Sequence, residues 1–243
     1  MEINELINKA EWDKSYEDRN FNFNHKVIFQ SIFLKHVQES ASVFEFGCYP
    51  GSYLKFLGEK KLCELNGIDY ASYLPEMISR FRIQGLPVNQ IIQSDIRSFA
   101  SYDLKFDVVY SVGFIEHFDN VTAVLDQHVS LLKESGMLIV AMPNFRYCQY
   151  FLRKYLNSKT LEGHNLGVMD STFLQLYCKK KSLEIVELGY YETCNYWVDF
   201  KKMSMFWKAI NLPVVAFLRL INKLLHLPNK FTSPYIYLVA KKV

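Results

Sequence analysis

The stretch that most constrains the fold of this chain is residues 43–51, which read Val-Phe-Glu-Phe-Gly-Cys-Tyr-Pro-Gly. The apolar side chains predict a buried strand that ends at Gly47, and residues 52–57 predict the start of a helix. A nucleotide can lie close to the backbone at such a strand–turn–helix junction. We therefore expect Gly47 and Gly51 to leave room for a ligand, and Glu45 to orient the turn from below.

Acidic residues lie at the ends of the next two predicted strands. The second strand ends at Asp69, 22 residues beyond Gly47, and the third, over residues 91–96, contains Asp95. A carboxylate at the end of the second strand, at this interval, can accept hydrogen bonds from both ribose hydroxyls. Asp95 can accept a hydrogen bond from the exocyclic amine of adenine, and Ile96 can pack on the adenine ring. The alternative for Asp69 is an N-cap of the helix that follows.

Short apolar strands alternate with helical patterns along most of the chain. Beyond the third strand, the pattern predicts strands over 106–111, 137–143, 183–188 and 235–240, and helices over 121–133, 146–156 and 171–180. This alternation predicts an α/β fold, a mostly parallel sheet with helices on both faces. Ligands bind at the carboxyl ends of the strands in such sheets, where residues 111–117 and 143–144 also fall.

Composition excludes several functional classes. The formal net charge is only +3, from 28 basic and 25 acidic residues, which gives no reason to expect a nucleic-acid partner. The five cysteines have no C-x-x-C spacing, so we expect reduced thiols in a cytoplasmic protein. The polar N-terminus does not read as a secretory signal. No apolar run reaches the about 18 residues that a spanning helix needs.

These motifs, in this order, resemble those of class I S-adenosylmethionine-dependent methyltransferases, over roughly residues 40–190 and the last strand. Residues 45–51 resemble the family's first motif, usually E/D-x-G-x-G-x-G, residues 67–69 the ribose-binding acid and residues 94–96 the adenine-binding segment. The resemblance implies a Rossmann-like, seven-stranded sheet with the cofactor across its first four strands. A dinucleotide dehydrogenase is the main rival, and the missing G-x-G-x-x-G disfavours it.

The resemblance also implies a set of cofactor-binding residues for S-adenosylmethionine and its product S-adenosylhomocysteine. They are Glu45, Gly47, Cys48, Tyr49, Gly51, Asp69, Tyr70, Asp95, Ile96, Ser111 and Gly113. Tyr49 departs from the family pattern because it replaces the middle glycine. Its ring must point away from the methionine part of the cofactor or form a wall of the site.

Within the family, residues 113–118, 143–145 and 164–170 resemble a bacterial small-molecule branch that often acts on surface glycans. An alcohol acceptor benefits from a general base, and histidine has a suitable pKa. We expect His117 or His164 to be that base, with His117 favoured; His117 could instead only bind loop backbone. Ubiquinone-pathway methyltransferases are similar too and carry a metal-binding E-x-x-E-H run. Gly113 replaces its first Glu, so we predict no metal.

We divide the chain into an N-terminal helical cap (1–40), a cofactor-binding core (41–189), an insertion or substrate cap (190–234) and a final strand (235–243), all in one domain. Residues 213–227 predict an apolar helix with a narrow polar face that includes Arg219 and His226. This helix can roof the pocket, form a homodimer interface or lie on a membrane surface. The expected substrate-contacting residues are Trp12, Asn144, Asn165 and Tyr191.

The sequence thus predicts an S-adenosylmethionine-dependent O-methyltransferase. Its expected acceptor is a sugar hydroxyl of a capsular or surface polysaccharide precursor, and the small-molecule substrate is a nucleotide-linked sugar. Three alternatives remain open: a quinone- or lipid-type acceptor, an N-methyl acceptor, and a cofactor-binding partner protein without catalysis.

Overall fold

A seven-stranded sheet in the order β3-β2-β1-β4-β5-β7-β6 organises the protein. The structure, a computed structural model, describes residues 3–17, 27–99, 103–156, 159–194, 204–225 and 227–243. The strands are β1 (Ser42–Phe46), β2 (Glu64–Asp69), β3 (Val88–Gln93), β4 (Phe106–Val112), β5 (Leu132–Pro143), β6 (Leu183–Tyr191) and β7 (Tyr235–Lys242). The first five run parallel, and β7 is antiparallel to β5 and β6. The predicted fold class is confirmed.

Helices cover both faces of the sheet, and several of them bury apolar side chains in the core. They are α1 (Lys9–Glu17), α2 (Gln30–His36), α3 (Ser52–Lys61), α4 (Leu74–Ile83), α5 (Val121–Ser130), α6 (Tyr147–Leu156), α7 (Lys159–Glu162), α8 (Ser171–Lys180) and α9 (Met205–Leu224). Helices α2, α3 and α4 contribute buried side chains to one core cluster, and α5 and α8 to the other. Within the expected N-terminal cap, residues 1–40, the structure has helices α1 and α2. Asp170 caps α8 as a good N-cap should, accepting the amide N–H of Thr172 at 2.7 Å.

The register aligns the carboxyl ends of the parallel strands at one edge. Phe46 lies beside Ile68 of β2 and Ser111 of β4. At the same edge, Pro143 of β5 pairs with Tyr235, the first residue of β7. Since β7 runs in the opposite direction, its last residues pair near the other edge, where Lys241 faces Met137. Loops after β1, β2, β4 and β5 therefore converge on one side of the molecule.

Several predicted boundaries were wrong. Helix α5 ends at Ser130 rather than 133, because Leu132 already pairs with Phe106 in the sheet. The four residues between Leu132 and Met137 interrupt that pairing, and Ser135 has a φ of 62°. Strand β3 begins at Val88 and ends before Asp95, and β6 continues to Tyr191.

Helix α9 is longer than the predicted 213–227 and its exposure is unexpected. Its span of 20 residues and mean hydropathy of 1.2 make it long and apolar enough to cross a membrane, by length and composition alone, which the sequence analysis did not foresee. Only 11% of the apolar window is buried. Of the insertion, residues 195–203 and His226 lie outside the described residues.

Candidate active site

The turn after β1 forms the floor of a cleft of about 300 Å³ at the carboxyl edge of the sheet. Gly47 lines this cleft with a φ of 69°, a conformation that favours glycine. The amide N–H of Gly47 donates to the carbonyl of Ile68 at 2.9 Å, which ties the turn to β2. A Cβ on Gly47 would lie 2.4 Å from Cδ2 of Phe114. Glycine is thus required here by a neighbouring ring as well as by the backbone.

Five residues predicted to bind the cofactor lie outside the cleft lining, and three of them, Gly51, Cys48 and Glu45, belong to the first strand and its turn. Gly51 has a φ of 86°, and a Cβ there would meet Phe81 at 2.5 Å, so this glycine serves the packing of α3 on α4. The Cys48 side chain is buried against Gly67. Glu45 is buried within β1 and accepts the Tyr110 hydroxyl at 3.0 Å. The orienting role predicted for Glu45 stays a prediction.

Asp69, at the end of β2, lines the cleft and is held by the backbone on both sides. Its carboxylate accepts the amide N–H groups of Tyr49 at 3.0 Å and Ala71 at 2.8 Å. Burial raises the pKa of Asp69 to about 6, although these amides favour the charged form. Each oxygen keeps a lone pair free, which suits it to accept hydrogen bonds from a ribose.

The wall next to Asp69 is built from Tyr70 and from the turn after β3. The Tyr70 hydroxyl donates to Glu5 at 3.0 Å, and Ser94 and Ile96 line the cleft beside them. The carboxylate of Asp95 lies outside the lining and binds Arg97 Nε at 2.9 Å. Burial favours its neutral form, but the Arg97 hydrogen bonds outweigh burial and lower the pKa of Asp95. Contact with an adenine amine would require this ion pair to rearrange.

The N-terminal segment 3–17 covers one side of the cleft. The amide of Leu6 donates to the carbonyl of His117 at 2.8 Å, and Asn4 binds Asp119. Helix α1 then places Trp12 against the ring of His117, with centroids 4.8 Å apart in an edge-on arrangement. Tyr16, on the next turn, packs edge-on against Tyr49 at 4.5 Å. The Tyr49 ring thus forms a wall of the cleft, one of the two arrangements that we expected.

Beside Trp12, the cleft holds a cluster of two buried residues, Glu116 and His117, and the half-buried His164. Glu116 and His117 lie in the short 3-10 turn Ile115–His117 after β4, and His164 comes from the loop after α7. The two imidazole centroids are 4.4 Å apart, and Nε2 of His117 lies 3.9 Å from Oε1 of Glu116. All three side chains line the cleft. The structure therefore brings together both histidines that the sequence nominated.

Each histidine uses Nδ1 to bind a backbone carbonyl. Nδ1 of His117 lies 2.8 Å from the oxygen of Gly163, and Nδ1 of His164 lies 2.5 Å from that of Thr160. Since a carbonyl only accepts, Nδ1 carries the proton in both rings and Nε2 keeps its lone pair. Burial lowers the pKa of His117 to about 3 and that of His164 to about 4. Both rings are neutral at pH 7.

Glu116 is completely buried. Neither carboxylate oxygen has a hydrogen-bond partner among the described residues. Burial raises the pKa of Glu116 to about 8, and the nearby amides of Glu116 and Phe114 only partly oppose this. A buried carboxyl group without a partner is costly, so this residue marks a place where a ligand can contribute stabilising contacts.

Of the remaining predicted site residues, some line the cleft and others form hydrogen bonds elsewhere in the protein. Gly113 lines the cleft with a φ of 66°, whereas Ser111 is buried in β4 outside the lining. Asn144 donates to the carbonyls of Lys230 and Ser233, and Asn165 to that of Phe118. The hydroxyls of Tyr191 and Ser31 share a hydrogen bond. These three expected substrate contacts are engaged with the protein itself and do not line the cleft.

Among the residues that line the cleft, Glu5, Tyr16, Phe114 and Glu116 were not predicted from the sequence. Glu5 and Tyr16 belong to the N-terminal segment, which has no motif and reaches the cleft only through tertiary contacts. Phe114 and Glu116 lie within the run that the sequence analysis quoted, so their position after β4 was a usable signal. No residue in the described part of 190–234 lines the cleft, and a pocket roof made by this insertion stays a prediction.

The cleft fits S-adenosylmethionine, the cofactor of this fold. Asp69 offers carboxylate lone pairs where a ribose would lie, Ile96 offers an apolar surface for a base, and Gly47 keeps the backbone accessible. The cluster of Glu116, His117 and His164 lies in the same cleft and remains available for an acceptor.

Comparisons with known proteins agree with this geometry. A curated relative, trans-aconitate 2-methyltransferase of Enterobacter sp. (strain 638), is 27% identical over 109 residues, which is 44% of this chain and 41% of the relative. Coclaurine N-methyltransferase, solved with N-methylheliamine and SAH, superposes with a TM-score of 0.59 at 12% identity, over 88% of this chain and 71% of that one. A SAM-dependent methyltransferase from Archaeoglobus fulgidus gives 0.55 at 19% identity, over 88% and 92%.

At these identities the solved structures establish the fold, that of class I S-adenosylmethionine-dependent methyltransferases. The family is established separately, because the profile described as "Methyltransferase domain" matches residues 19–188, more than half of the chain. The chain therefore belongs to the methyltransferase domain family.

Proposed function

We propose that this protein transfers the methyl group of S-adenosylmethionine to a hydroxyl of a sugar, in a nucleotide-linked precursor of a capsular or surface polysaccharide. One observation carries the proposal: two neutral imidazoles with free Nε2 lone pairs line the same cleft as the ribose-type acid Asp69. A hydroxyl must lose its proton as it is methylated, so groups that can bind the hydroxyl or its proton are needed at that position.

The residues of the cluster have distinct roles in this proposal. When bound, the cofactor supplies a methyl group on a sulfonium sulfur. His117 positions the acceptor hydroxyl through Nε2 and receives its proton, while the new bond from oxygen to carbon forms and the bond from sulfur to carbon breaks. The Gly163 carbonyl keeps the His117 ring in the required tautomer. His164 lies beside it as the second candidate base.

Aromatic side chains near the cluster support a ring-shaped acceptor. Trp12 and Tyr16 stack at 5.8 Å and both line the cleft beside His117. Aromatic faces provide apolar surface for the C–H groups of a sugar, and N–H or O–H groups for its hydroxyls. Of the four residues expected to contact substrate, the proposal therefore keeps Trp12.

Acceptor chemistry differs among the relatives. By its name, one methylates trans-aconitate, and another, coclaurine N-methyltransferase, methylates nitrogen. Carboxylate, amine, quinone-type and lipid-type acceptors are therefore compared directly with nucleotide sugars in the test. The proposal places the protein in the cytoplasm, where its cysteines, all unpaired, remain as thiols.

The test combines calorimetry with mass spectrometry. We expect S-adenosylmethionine and S-adenosylhomocysteine to bind the purified protein, and one nucleotide sugar in a panel to gain one methyl group in place of hydrogen. A His117→Gln variant should bind S-adenosylhomocysteine normally and lose most turnover. Methylation of an acid or an amine in the same panel, with no sugar product, would refute the sugar proposal and retain the methyltransferase. Cofactor binding without any product would favour a non-catalytic partner protein.

We further propose that α9 lies on an anionic membrane surface, near a lipid-linked stage of the pathway. Its inward side is attached to the protein by buried Asn211 and Val215 and by Asn222, which accepts the amide of Thr193 at 2.9 Å. Its outward side is apolar. The outward side chains, each 45 to 86% exposed, are Met205, Phe206, Ile210, Leu212, Val214, Phe217, Leu220 and Leu224.

Charge favours a membrane over a second copy of the chain. Helix α9 contains Lys208, Arg219 and Lys223 and no acidic residue. Two such helices would bring like charges together, whereas an anionic bilayer attracts them. Flotation should therefore show binding to anionic vesicles and much weaker binding to neutral ones. Phe217→Asp should abolish binding, and Ile83→Asp, at an exposed apolar residue of α4, should not. A stable dimer without vesicle binding would overturn this proposal.

A further inference from the structure

We propose that Glu116, His117 and His164 form a binding site for a divalent transition-metal cation, of the zinc, manganese or iron(II) class. One ligand atom from each residue lies within 4.8 Å of the other two. The combination of two imidazole nitrogens and one carboxylate oxygen is a common ligand set for these cations. The binding inference does not depend on the identity of the acceptor, but it replaces the base role proposed above for His117.

The two segments that supply the ligands are held together by backbone contacts. The amide of Asn165 donates to the carbonyl of Glu116 at 2.7 Å, and its side-chain amide donates to the carbonyl of Phe118 at 3.2 Å. These bonds fix the loop that contains His164 beside the turn that contains Glu116 and His117. Asn165, which the sequence suggested as a substrate contact, therefore acts here as a positioning residue.

Both histidines are already oriented as metal ligands usually are. Each donates Nδ1–H to a backbone carbonyl, that of Gly163 or Thr160, so each Nε2 lone pair remains for a cation. Second hydrogen bonds of this kind fix the tautomer and the ring orientation of ligating histidines in metalloproteins. Trp12 packs on the edge of His117 and Phe145 on the edge of His164, which further restricts the rings.

Glu116 would supply a negative charge in its ionised form, which a bound cation favours, and it is the second independent indication of a ligand. It is fully buried, and both of its oxygens lack a hydrogen-bond partner among the described residues. A cation would pair with this carboxylate and offset the cost of burying it. One charge opposes the site: Arg153 acts on His164 from outside the cluster, and its guanidinium lies over Phe145. The Glu116 carboxylate would contact the cation directly, whereas the Arg153 guanidinium lies outside the three-residue cluster. The attraction by Glu116 should therefore outweigh the repulsion by Arg153.

The required rearrangement is small. A cation bound at about 2.0 to 2.2 Å from each ligand needs ligand atoms about 3.4 Å apart in tetrahedral geometry. Oε1 of Glu116 and Nε2 of His117 are 3.9 Å apart, so side-chain rotations of about 1 Å suffice. Because all three residues line the cleft, the remaining coordination position opens toward the acceptor. A hydroxyl bound there would lose its proton more readily.

The metal role and the direct base role of His117 exclude each other, because one Nε2 lone pair cannot bind a cation and accept a proton. The sequence comparison predicted no metal because Gly113 replaces the first Glu of the E-x-x-E-H run. The structure supplies a third ligand from a different segment, 47 residues downstream of His117. The expected absence of a metal is therefore replaced by this proposal.

The experiment is titration of chelator-treated, full-length protein with Co²⁺, followed by visible d–d absorption, and competition with Zn²⁺ and Mn²⁺. We expect one equivalent to bind with bands typical of mixed nitrogen and oxygen ligation. Glu116→Gln and His164→Gln should each weaken binding by about tenfold or more. His36→Gln, which removes a histidine that pairs with Glu187 outside the cleft lining, should not change it.

Calorimetry with S-adenosylhomocysteine, which needs no acceptor, verifies that each variant is folded. Absence of stoichiometric binding of all three cations to the wild-type protein would overturn the inference, as would unchanged binding in both ligand variants. Either result would leave the methyltransferase proposal intact with His117 as the base. Conversely, metal binding without methylation of any sugar would refute only the proposed acceptor.

Discussion

The indole of Trp12 and the imidazole of His117 meet edge to face, with ring centroids 4.8 Å apart. Trp12 belongs to the N-terminal helix α1, and His117 to the turn after β4. The contact therefore connects the segment that covers the cleft to the residue that we propose handles the acceptor.

Trp12→Ala should reduce acceptor binding without a matching loss of cofactor binding. An edge-to-face aromatic contact contributes about 0.5 to 1.5 kcal/mol, so we expect the KM for acceptor to rise about two- to tenfold. Trp12→Phe keeps a ring at this position and should behave nearly as the wild type. Steady-state kinetics and S-adenosylhomocysteine calorimetry measure the two effects separately. An equal loss of both affinities would show that Trp12 acts on the fold of the cleft instead.

Cofactor affinity should fall as the pH is lowered through about 6. Burial raises the pKa of Asp69 to about 6, with the charges of Asp13 and Glu45 nearby, and a ribose binds its ionised form. Affinity is therefore full above pH 6 and decreases by up to about tenfold per unit below it. Calorimetry with S-adenosylhomocysteine between pH 5 and pH 8 checks this.

Asp69→Asn is the control for that pH dependence. It cannot ionise, so its affinity should be about 10- to 100-fold weaker at pH 7 and should not change with pH in the same range. If the variant keeps the wild-type pH profile, a group other than Asp69 controls cofactor binding. The folded-state pKa also exceeds the unfolded value of 3.8, so protonation of Asp69 stabilises the empty protein, and this contribution is lost as pH rises through 6.

Gly47→Ala should destabilise the protein by about 2 to 4 kcal/mol. The new Cβ would lie 2.4 Å from the Phe114 ring, and a positive φ of 69° adds a cost of about 1 to 2 kcal/mol. Gly85→Ala is a matched control, because Gly85 has a φ of 71° with no atom within 4 Å of an added Cβ. Gly85→Ala should therefore be destabilised only by the backbone cost of a positive φ, about 1 to 2 kcal/mol.

Urea unfolding of the two glycine variants separates the steric cost from the conformational one. Adding Phe114→Leu to Gly47→Ala should recover part of the lost stability, since a smaller side chain leaves room for the Cβ. Equal destabilisation by the two single glycine substitutions would show that the contact with Phe114 has no energetic weight.

Glu187→Gln should destabilise the protein at neutral pH but not in strong acid. Burial favours neutral Glu187, but hydrogen bonds from Lys35 at 2.6 Å, Tyr237 at 2.6 Å and His36 at 2.8 Å lower its pKa to about 2. The folded pKa is below the unfolded 4.5. The stabilisation is thus complete above pH 4.5 and is lost as pH falls toward 2.

The expected loss for Glu187→Gln is about 1 kcal/mol at pH 7, since these groups lie partly exposed between α2, β6 and β7. Denaturant midpoints at pH 7 and near pH 2 measure it. A difference between variant and wild type that persists unchanged at the lower pH would show that the ionised carboxylate is not the source of the stability.

Asp69 illustrates what the sequence predicts well. Its position follows from strand order and chain interval, both of which are local properties, and the structure places it on the cleft. Gly47 was expected on the cleft and lies there, but the reason for glycine includes Phe114, which is 67 residues away in sequence. The number of residues between two motifs predicts the position of a residue in the fold. It does not predict which side chains from distant parts of the sequence will surround that residue.

Asp95 and Tyr16 illustrate what could not be predicted. The side-chain direction of Asp95 is decided by Arg97, two residues later, which binds it away from the cleft lining. Tyr16 reaches the cleft because the N-terminal segment docks on the backbone of His117 and on Asp119. Such docking depends on contacts between residues far apart in the sequence. Neither the hydrophobic periodicity nor the composition of residues 3–17 predicts it. Helix α9 was recognised as apolar, but its outward orientation required the structure.

The antiparallel direction of β7 has a practical consequence. Its first residue, Tyr235, pairs with Pro143 on the rim of the cleft, and Lys241 pairs with Met137 toward the opposite edge of the sheet. Val243 therefore lies on the far side of the molecule from the cleft. Coupling the protein to a sensor surface through a tag at this residue would leave the cleft open to solution, so that cofactor, acceptor and cation can be injected over one immobilised sample.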